Sequence, residues 1–429
     1  MRTRIVASLV LAVAGFLTLS LTGQERPPAT QPAAVKAASP PYTPTTLAPN
    51  ATQPARDWSK LNDLQRQMLL ATQRGTEWLY RMNSASGRFV HGIHPATAEF
   101  MEGDDYLRQA TAAFALTRAA RFLGEDRYTA RATQAILSLL LDTTVDPKDP
   151  EIRYCSLPPA VVNRLGSAGL LVLAINELPN PQKDLLDQSE QLCNYIRRQA
   201  REDGSLRCNE TAEENKPDTQ AAVEAYPGIA LYALARSQSH RPAEWKTGLL
   251  RKAVAFYHPW WKAHKSMAFV PWQTAAYAET FLLTKDKAFA NCVLEMNDWL
   301  CGLQYDQLDG RLVKWYGGFK SWSDGVTTES VPRITSAAYA QSLADACRVA
   351  RKTADVKRYD RYSTALGSAV QFLSTLQYTT ANTRHFESEF RDQYLVGGFH
   401  ASRQDGDLRI DHTSYAVSAL VWYLEQTGR

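Results

Sequence analysis

Residues 107–123, LRQATAAFALTRAARFL, form a helical pattern rich in small residues, and this pattern recurs five more times. The recurrences are NRLGSAGLLVLAINEL (163–178), AYPGIALYALARS (225–237), PWQTAAYAETFLL (271–283), RITSAAYAQSLADACRVA (333–350) and IDHTSYAVSALVWYL (410–424). Each interval contains a second helical pattern, more amphipathic and richer in charge. A repeated helix pair that cannot bury its own apolar face must stack on its neighbours. The sequence therefore predicts an all-α ring of six helical hairpins, with six inner and six outer helices.

Apolar spacings of three and four predict where these helices lie. Outer helices are expected at 60–82, 126–142, 182–201, 244–264, 286–303 and 357–377, and inner helices at 106–122, 163–177, 224–236, 271–283, 333–351 and 411–426. Inner helices lead to outer helices through short connections, whereas the return connections are mostly long. Long loops in compact domains are usually functional or disordered. The functional site is therefore expected where the inner helices begin.

The first 57 residues have a different composition. Residues 1–23 begin with two arginines, continue into an apolar run and end in small residues, as a secretory signal does. The run at 5–22 is also about as long as a membrane span needs, so an uncleaved membrane tether is the alternative. Residues 24–57 hold eight of the 21 prolines, which predicts a disordered linker. A folded domain at 58–429 is then expected in an exported protein that is periplasmic, on the cell surface or secreted.

Charge and cysteine content limit the classes of partner. The formal charge is +4, but the part after residue 57 holds 43 basic and 42 acidic side chains. A near-neutral domain gives no electrostatic argument for nucleic acid. The six cysteines show no CxxC or Cys/His metal spacing, and no metal or organic cofactor is predicted. Export permits disulfides, and Cys193 and Cys208 would make the best pair, but the core does not need them and buried thiols are the favoured interpretation.

Arginines mark the starts of four inner helices: Arg108, Arg164, Arg333 and Arg409. A cation is unfavourable at a helix N-terminus, which already carries partial positive charge. One explanation is a bound anion, such as a sugar carboxylate, between the arginines and the backbone amides. The other is pairing with acids that are near in sequence: Asp104 and Asp105 with Arg108, Glu329 with Arg333, and Asp407 or Asp411 with Arg409.

Carboxylates and a histidine occur at the same positions. Glu224, Glu329 and Asp411 lie at or just before three inner-helix starts. Two of them facing each other would divide general-acid and general-base work, and the alternative roles are helix capping or salt bridges. His412 follows Asp411, and it would either titrate near neutrality or be structural.

Aromatic residues are concentrated in one region, since six of the ten tryptophans fall between 260 and 322. Flat rings with a polar edge suit the apolar face of a sugar. The candidates for a stacking platform on the expected functional face are Tyr226, Trp272, Trp315, Tyr316 and Trp322.

The six-hairpin pattern resembles the (α/α)6 toroids, which include six-hairpin glycosidases, polysaccharide lyases and N-acylglucosamine 2-epimerase-like enzymes. AYPGIALYAL (225–234) is similar to the Pro-Gly-His helix start of the epimerases, with Ile229 where their histidine would be. His412 resembles the histidine those enzymes carry near the last inner helix. With one histidine missing, a two-base epimerase mechanism is disfavoured. QAREDGSL (199–206) is similar to the Gln…Gly…Trp repeat of terpenoid cyclases, but Leu206 replaces the tryptophan and no DxDD or DDxxD motif occurs.

The leading hypothesis is an exported hydrolase or lyase that acts on an acidic, uronic-acid-containing glycan. In this hypothesis the four arginines bind the sugar carboxylate, and Trp272 and Trp315 stack on the ring. Glu329, Asp411 and His412 move protons, with Glu224 in reserve. The alternatives are a non-catalytic toroid that binds a glycan or a protein, and a sugar epimerase. A carboxylate pair about 5 to 10 Å apart would favour the enzyme, whereas a well in which every acid is paired with an arginine would favour the binder.

Overall fold

The computed structural model of the 429-residue chain describes residues 58–209, 218–306, 310–323 and 325–427. Its helices are numbered α1 to α13 in chain order. The six outer helices are α1 (Asp63–Met82), α3 (Asp126–Leu140), α5 (Lys183–Arg198), α7 (Glu244–Ala263), α9 (Lys287–Cys301) and α11 (Val356–Ser374). The six inner helices are α2 (Tyr106–Leu123), α4 (Arg164–Glu177), α6 (Gln220–Ser237), α8 (Val270–Thr284), α10 (Ser336–Lys352) and α13 (Ile410–Thr427). The remaining one, α12 (Ser388–Phe390), is a single short turn.

The inner helices close into a ring. Helix α2 packs against α4, α4 against α6, α6 against α8, α8 against α10, α10 against α13, and α13 against α2. Helices α3, α5, α7, α9 and α11 each pack on the inner helix that precedes them, and α1 packs on α13 to complete the sixth hairpin. The predicted ring of six hairpins, the (α/α)6 toroid, is therefore confirmed.

Small residues on the inner helices allow their backbones to approach closely. A Cβ atom added at Gly169 would lie 2.8 Å from Ile229 Cγ2 and 3.1 Å from the backbone nitrogen of Ala230, so α4 has room only for a glycine where it meets Ile229 and the backbone of α6. A Cβ atom at Gly228 would lie 2.6 Å from Trp272 Cβ at the contact between α6 and α8. This explains why the repeated pattern is rich in alanine and glycine.

The predicted helix boundaries agree with the structure to within a few residues, with two differences. Helix α6 begins at Gln220 rather than at 224, because Thr219 caps it by accepting a hydrogen bond from the backbone N–H of Ala222. Helix α10 begins at Ser336, three residues after the predicted start, and Arg333 therefore lies before the helix.

The long connections contain short strands that the helical pattern does not predict. In chain order these are β1 (Gly92–His94), β2 (Glu99–Phe100), β3 (Thr143–Asp146), β4 (Asp149–Cys155), β5 (Ser321–Ser323), β6 (Val326–Thr328), β7 (His400–Ser402) and β8 (Asp405–Arg409). Strands β2, β1, β8 and β7 form one antiparallel sheet, which joins the connection before α2 to the connection before α13. Two inner-helix starts that are far apart in sequence are thereby fixed beside each other.

All six cysteines lie among the described residues, and all six are free thiols. The structure therefore contains free thiols, as the favoured interpretation expected, rather than a disulfide between Cys193 and Cys208, and every one of them except Cys301 is buried. Within the described ranges no helix is long and apolar enough to cross a membrane. The predicted signal or tether at 1–23 and linker at 24–57 lie outside the described residues and stay predictions.

Candidate functional site

A central well lies on the axis of the ring and is lined by residues of five inner helices. The lining residues are Arg118, Tyr232, Pro271, Trp272, Ala275, Ala338, Gln341, Asp345, Tyr415 and Trp422. The space between them, counted together with the part that is open to solvent, is about 300 Å³. Pro271, Trp272 and Ala338 belong to the first turns of their helices, whereas Arg118, Asp345 and Trp422 lie in the third turn or beyond. The well therefore runs from the inner-helix N-termini toward the opposite end of the ring.

Arg118 forms the floor of the well. Its guanidinium is fully buried, lies 4.2 Å from the Trp422 ring centroid, and donates hydrogen bonds to Tyr232 Oη at 3.0 Å and to Glu177 Oε1 at 3.3 Å. Gln341 Oε1 is 3.4 Å away and is a weaker acceptor. Because Glu177 balances its charge, Arg118 is not a free cation at the bottom of the well.

Asp345 is the acid that lines the well. One oxygen accepts a hydrogen bond from Arg348 Nη1 at 2.8 Å, and the other accepts one from Trp422 Nε1 at 3.3 Å. Burial raises the pKa of Asp345 above its usual value, and the partly compensating charge of Arg348 does not reverse this. The floor of the well therefore holds a carboxyl group that protonates more readily than an exposed aspartate.

A circuit of charged side chains linked by five ion pairs runs around the ring below the floor, and each inner helix contributes one member. In order around the ring they are Arg121, Glu177, Arg236, Glu279, Arg348 and Glu425. The N–O distances are 2.7 Å for Arg121–Glu177, Arg236–Glu177 and Arg348–Glu279, 3.7 Å for Arg236–Glu279, and 3.8 Å for Arg121–Glu425. Positive and negative side chains alternate from one helix to the next, so every acid lies beside at least one arginine. We call this circuit the closed end.

A second polar group, which we call the rim cluster, lies where α2 and α13 begin. It consists of His91, Asp105, Arg108, Arg409 and Asp411. Asp105 caps α2 and also lies 3.4 Å from Arg108 Nε. Asp411 accepts two hydrogen bonds from Arg409, at 3.0 and 2.7 Å, and lies 3.9 Å from Arg108 Nε. Since both acids approach the same nitrogen, their nearer oxygens are at most the sum of these distances apart, 7.3 Å.

The electrostatics of the rim cluster keep Asp411 ionised and His91 neutral. Burial alone would raise the pKa of Asp411, but the paired guanidinium of Arg409 holds this pKa below its usual value. Burial lowers the pKa of His91, and the charge of Arg108 lowers it further. Arg108 Nη1 donates to His91 Nε2 at 2.9 Å, so the proton of the neutral ring is on Nδ1. The cluster therefore offers a proton acceptor beside a neutral imidazole.

His412 does not line the well. Its side chain is 6% exposed, and burial lowers its pKa to about 4, although Asp411 acts in the opposite direction. The ring is therefore neutral near pH 7 rather than titrating there.

Three of the four arginines that were predicted at inner-helix starts are paired with acids. Arg108 and Arg409 meet Asp105 and Asp411, as the pairing alternative expected. Arg333 donates to Asp405 Oδ2 at 3.0 Å rather than to Glu329, because the turn between β7 and β8 brings Asp405 to it. These pairs reduce the positive charge that the rim offers to an anion.

Arg164 lies away from the well, at the start of α4. Its guanidinium stacks 4.8 Å from the Tyr154 ring centroid and donates to the carbonyl of Leu157 at 3.4 Å. Together with Arg207 it lines a second cavity of about 640 Å³. Tyr226 is half-buried near this wall, against Gly166 of α4.

The other predicted acids and aromatic residues are separated from the well, apart from Trp272. Glu224 accepts a hydrogen bond from Gln220 at 2.8 Å on the surface of α6, and Glu329 is exposed. Trp315 packs on Tyr305, and Tyr316 bonds to Ser368. Trp322 donates to the carbonyl of Lys265. His91, Arg118 and Asp345 were not predicted from the sequence, although Asp345 is an isolated acid on the small-residue face of an inner helix.

Among the described residues, no group of three or more histidine, cysteine or acidic side chains is placed to hold a metal ion.

Comparisons with known proteins agree with this architecture. No family model matches the sequence, and no curated protein matches it. Among solved structures, an inactive variant of the α-1,6-mannanase GH76A of Salegentibacter sp. in complex with α-1,6-mannotriose has a TM-score of 0.56 at 10% identity, covering 84% of this chain and 99% of that one. An unsaturated glucuronyl hydrolase specific for heparin has a TM-score of 0.56 at 12% identity, covering 84% and 97%. Cellobiose 2-epimerase from Bacillus thermoamylovorans has a TM-score of 0.56 at 11% identity, covering 83% and 99%. At these identities the similarity shows a shared fold, the (α/α)6 toroid.

Proposed function

We propose that this chain is an exported carbohydrate-active enzyme that binds a sugar ring in the central well and cleaves a glycosidic bond beside the rim cluster, as a hydrolase or a lyase. The observation that carries the proposal is an aromatic-walled well beside two carboxylates no more than 7.3 Å apart. The structural neighbours named above, two glycan-cleaving enzymes and a sugar epimerase, support the class of substrate. Export rests on the signal pattern at 1–23.

Asp411 is the residue best suited to accept a proton. Arg409 and Arg108 keep it ionised, and it lies one helical turn above Tyr415 of the well. Proton transfer by a positioned side chain typically accelerates a reaction about 10²- to 10⁴-fold. In a hydrolysis Asp411 takes a proton from the water whose oxygen bonds to the anomeric carbon, while the glycosidic oxygen leaves and takes a proton from solvent. In an elimination, which requires a uronic acid, Asp411 takes the proton from the carbon beside the carboxylate, a carbon–carbon double bond forms, and the glycosidic oxygen leaves and takes a proton from solvent.

Trp272 is the residue best suited to stack on the sugar. Its ring is half-buried in the wall of the well and lies 6.3 Å from the Tyr232 ring centroid. A planar apolar face with a polar edge complements a pyranose ring.

The charge balance favours a neutral sugar over an acidic one. The uronic-acid hypothesis depends on the rim arginines, and Arg108, Arg333 and Arg409 already meet carboxylates at 4 Å or less. A sugar carboxylate at the rim would also approach Asp105 and Asp411. Because a neutral sugar has no carboxylate to acidify the neighbouring C–H, the charge balance also favours hydrolysis over elimination.

Thermal-shift measurements test the proposal. Oligosaccharides of glucose, mannose, galactose and xylose are compared with those of glucuronate and galacturonate. Ligand at about a hundred times its dissociation constant stabilises the folded state by roughly 2.7 kcal/mol. We expect a shift with a neutral set that is lost in Trp272→Ala and kept in Trp315→Ala, the matched control outside the well. A shift with the uronates alone would restore the acidic-glycan hypothesis, and no shift with any set would refute the proposal.

A non-catalytic glycan-binding toroid is the second candidate, and one observation favours it. Each of the three acids in the well and the rim cluster, Asp105, Asp345 and Asp411, is paired with an arginine. Chromatography of the glycan that gives a shift separates the two functions. New products that disappear in Asp411→Asn support the enzyme, whereas binding without any product supports the binder.

A further inference from the structure

We infer that the central well receives only the end of a glycan chain, so that the protein acts on terminal residues and not within chains. This inference rests on the proposed function and adds the part of the substrate that is recognised. Three features carry it: the closed end, the depth and volume of the well, and the polar groups at its floor.

The closed end prevents a chain from passing through the ring. Its ion pairs connect α13 to α2, α2 to α4, α4 to α6, α6 to α8, and α8 to α10. Between α10 and α13, the indole N–H of Trp422 donates to Asp345. Glu177 and Arg118 have side chains that are 1% exposed at this level. A glycan that enters from the inner-helix N-termini must therefore stop at Arg118 and Trp422.

The well is too small for two sugar rings. From Ala338 to Asp345, and from Tyr415 to Trp422, there are seven residues of helix, or about 10 Å. The space in the well, counted together with its opening to solvent, is about 300 Å³, and the enclosed part is only a small fraction of it. Two sugar rings cannot both lie in this space, so with a terminal ring in the well the next residue must remain at the level of the rim cluster.

Polar groups converge at the floor, where the hydroxyl groups of a terminal sugar would point. Tyr232, Gln341 and Asp345 line the well together with Arg118. A chain interior could not reach them, because linked residues on both sides would have to fit within the ring. With the terminal ring in the well, the bond to the next residue lies near Asp411, about 6 Å above Tyr415 along α13.

The test compares short and long forms of the same glycan. For each sugar and linkage in the thermal-shift set, a linear hexasaccharide and a polymer about a hundred times longer are titrated at equal mass of sugar. Recognition of ends predicts that the polymer binds about a hundredfold more weakly per sugar unit, because it offers about a hundredfold fewer ends. Equal affinity per sugar unit would refute the inference while leaving the proposed function intact. Binding of neither form would refute the proposed function, and this inference with it.

A variant that fills the well provides a second measurement. Ala338→Trp places an indole in the well, whereas Ala288→Trp places one on the exposed surface of α9 as the matched control. We expect loss of hexasaccharide binding in the first variant only. Unchanged binding by a folded Ala338→Trp would refute the inference, and if that variant does not fold, the comparison of hexasaccharide and polymer still decides the question with the unmodified protein.

Discussion

Replacing Glu177 with glutamine removes the acid on which two arginines of the closed end and Arg118 of the well floor converge. Arg121 and Arg236 lie 2.7 Å from its oxygens, Arg118 lies 3.3 Å away, and the glutamate side chain is 1% exposed. Glutamine has nearly the same shape, but it leaves the three guanidinium charges without their shared counter-ion. Breaking a buried ion pair by removal of one partner costs roughly 3 to 5 kcal/mol.

The pKa of Glu177 indicates a loss of stability of similar size. Burial alone would raise this pKa, but Arg121, Arg236 and Arg118 lower it from its usual 4.5 to about 2. At 1.36 kcal/mol for each pKa unit, this difference corresponds to about 3 kcal/mol of stability. Since the pKa is lower in the folded state, this contribution is fully present above pH 4.5 and is lost as the pH falls toward 2.

Urea denaturation at pH 7, followed by tryptophan fluorescence and circular dichroism, measures the effect. We expect Glu177→Gln to lower the free energy of unfolding by about 3 to 5 kcal/mol. The control is Asp187→Asn, which also removes an acid that meets two cations, Lys183 and Arg241, but at a half-exposed position. The control is expected to unfold like the unmodified protein. Equal unfolding midpoints for the two variants would refute the assignment of the closed end as a buried, mutually dependent circuit.

Four further predictions follow from particular contacts. Because burial lowers the pKa of His412 from 6.5 to about 4, the folded state loses roughly 3 kcal/mol of stability as the pH falls from 6.5 to 4. The variant His412→Leu should reduce this dependence of stability on pH. The control His385→Ala, at an exposed position, should leave it unchanged. Asp411→Asn should lower turnover of the cleaved glycan about 10²- to 10⁴-fold while the hexasaccharide still binds; an unchanged rate would exclude Asp411 as the proton acceptor. Gly228→Ala should destabilise by about 1 to 3 kcal/mol, since the new methyl group would meet Trp272, whereas Gly367→Ala on α11 meets nothing within 4 Å and should not lower the melting temperature. Dithiothreitol should leave the melting temperature unchanged, because all six cysteines are free thiols; a decrease would reveal a disulfide.

The ring could be predicted from sequence because its cause is local and repeated. Small residues at helical spacing mark each inner helix, and they are the residues that let α4 approach α6 at Gly169. The same repetition predicts a functional face at the inner-helix N-termini, where Arg108 and Asp411 meet. Nothing comparable marks the short strands, since their pairing depends on the loops that the ring brings together.

The composition of the site was harder to predict, because it depends on contacts between distant parts of the chain. Strand β1 pairs with β8, which places His91 and Arg409 in one cluster although more than three hundred residues separate them. Arg333 meets Asp405 instead of Glu329 because a β-turn, and not proximity in sequence, delivers the acid. Trp315 and Trp322 are residues of the type that stacks on sugars, but they do not line the well. Trp315 packs on Tyr305, and Trp322 bonds to the carbonyl of Lys265.

The sixth hairpin joins the first long helix to the last, and this has a consequence for the connectivity of the domain. The side chain of Gln65 donates to the carbonyl of Thr427 at 2.7 Å, although 362 residues separate them. Because α1 pairs with α13, the six hairpins would keep the same order around the ring if the chain began at a different connection. A circular permutant that links Thr427 to residue 62 through a short peptide, and that begins in the turn between α8 and α9, should reach the same native state. Comparison of its folding rate with that of the unmodified chain would show how much of the folding barrier comes from pairing α1 with α13.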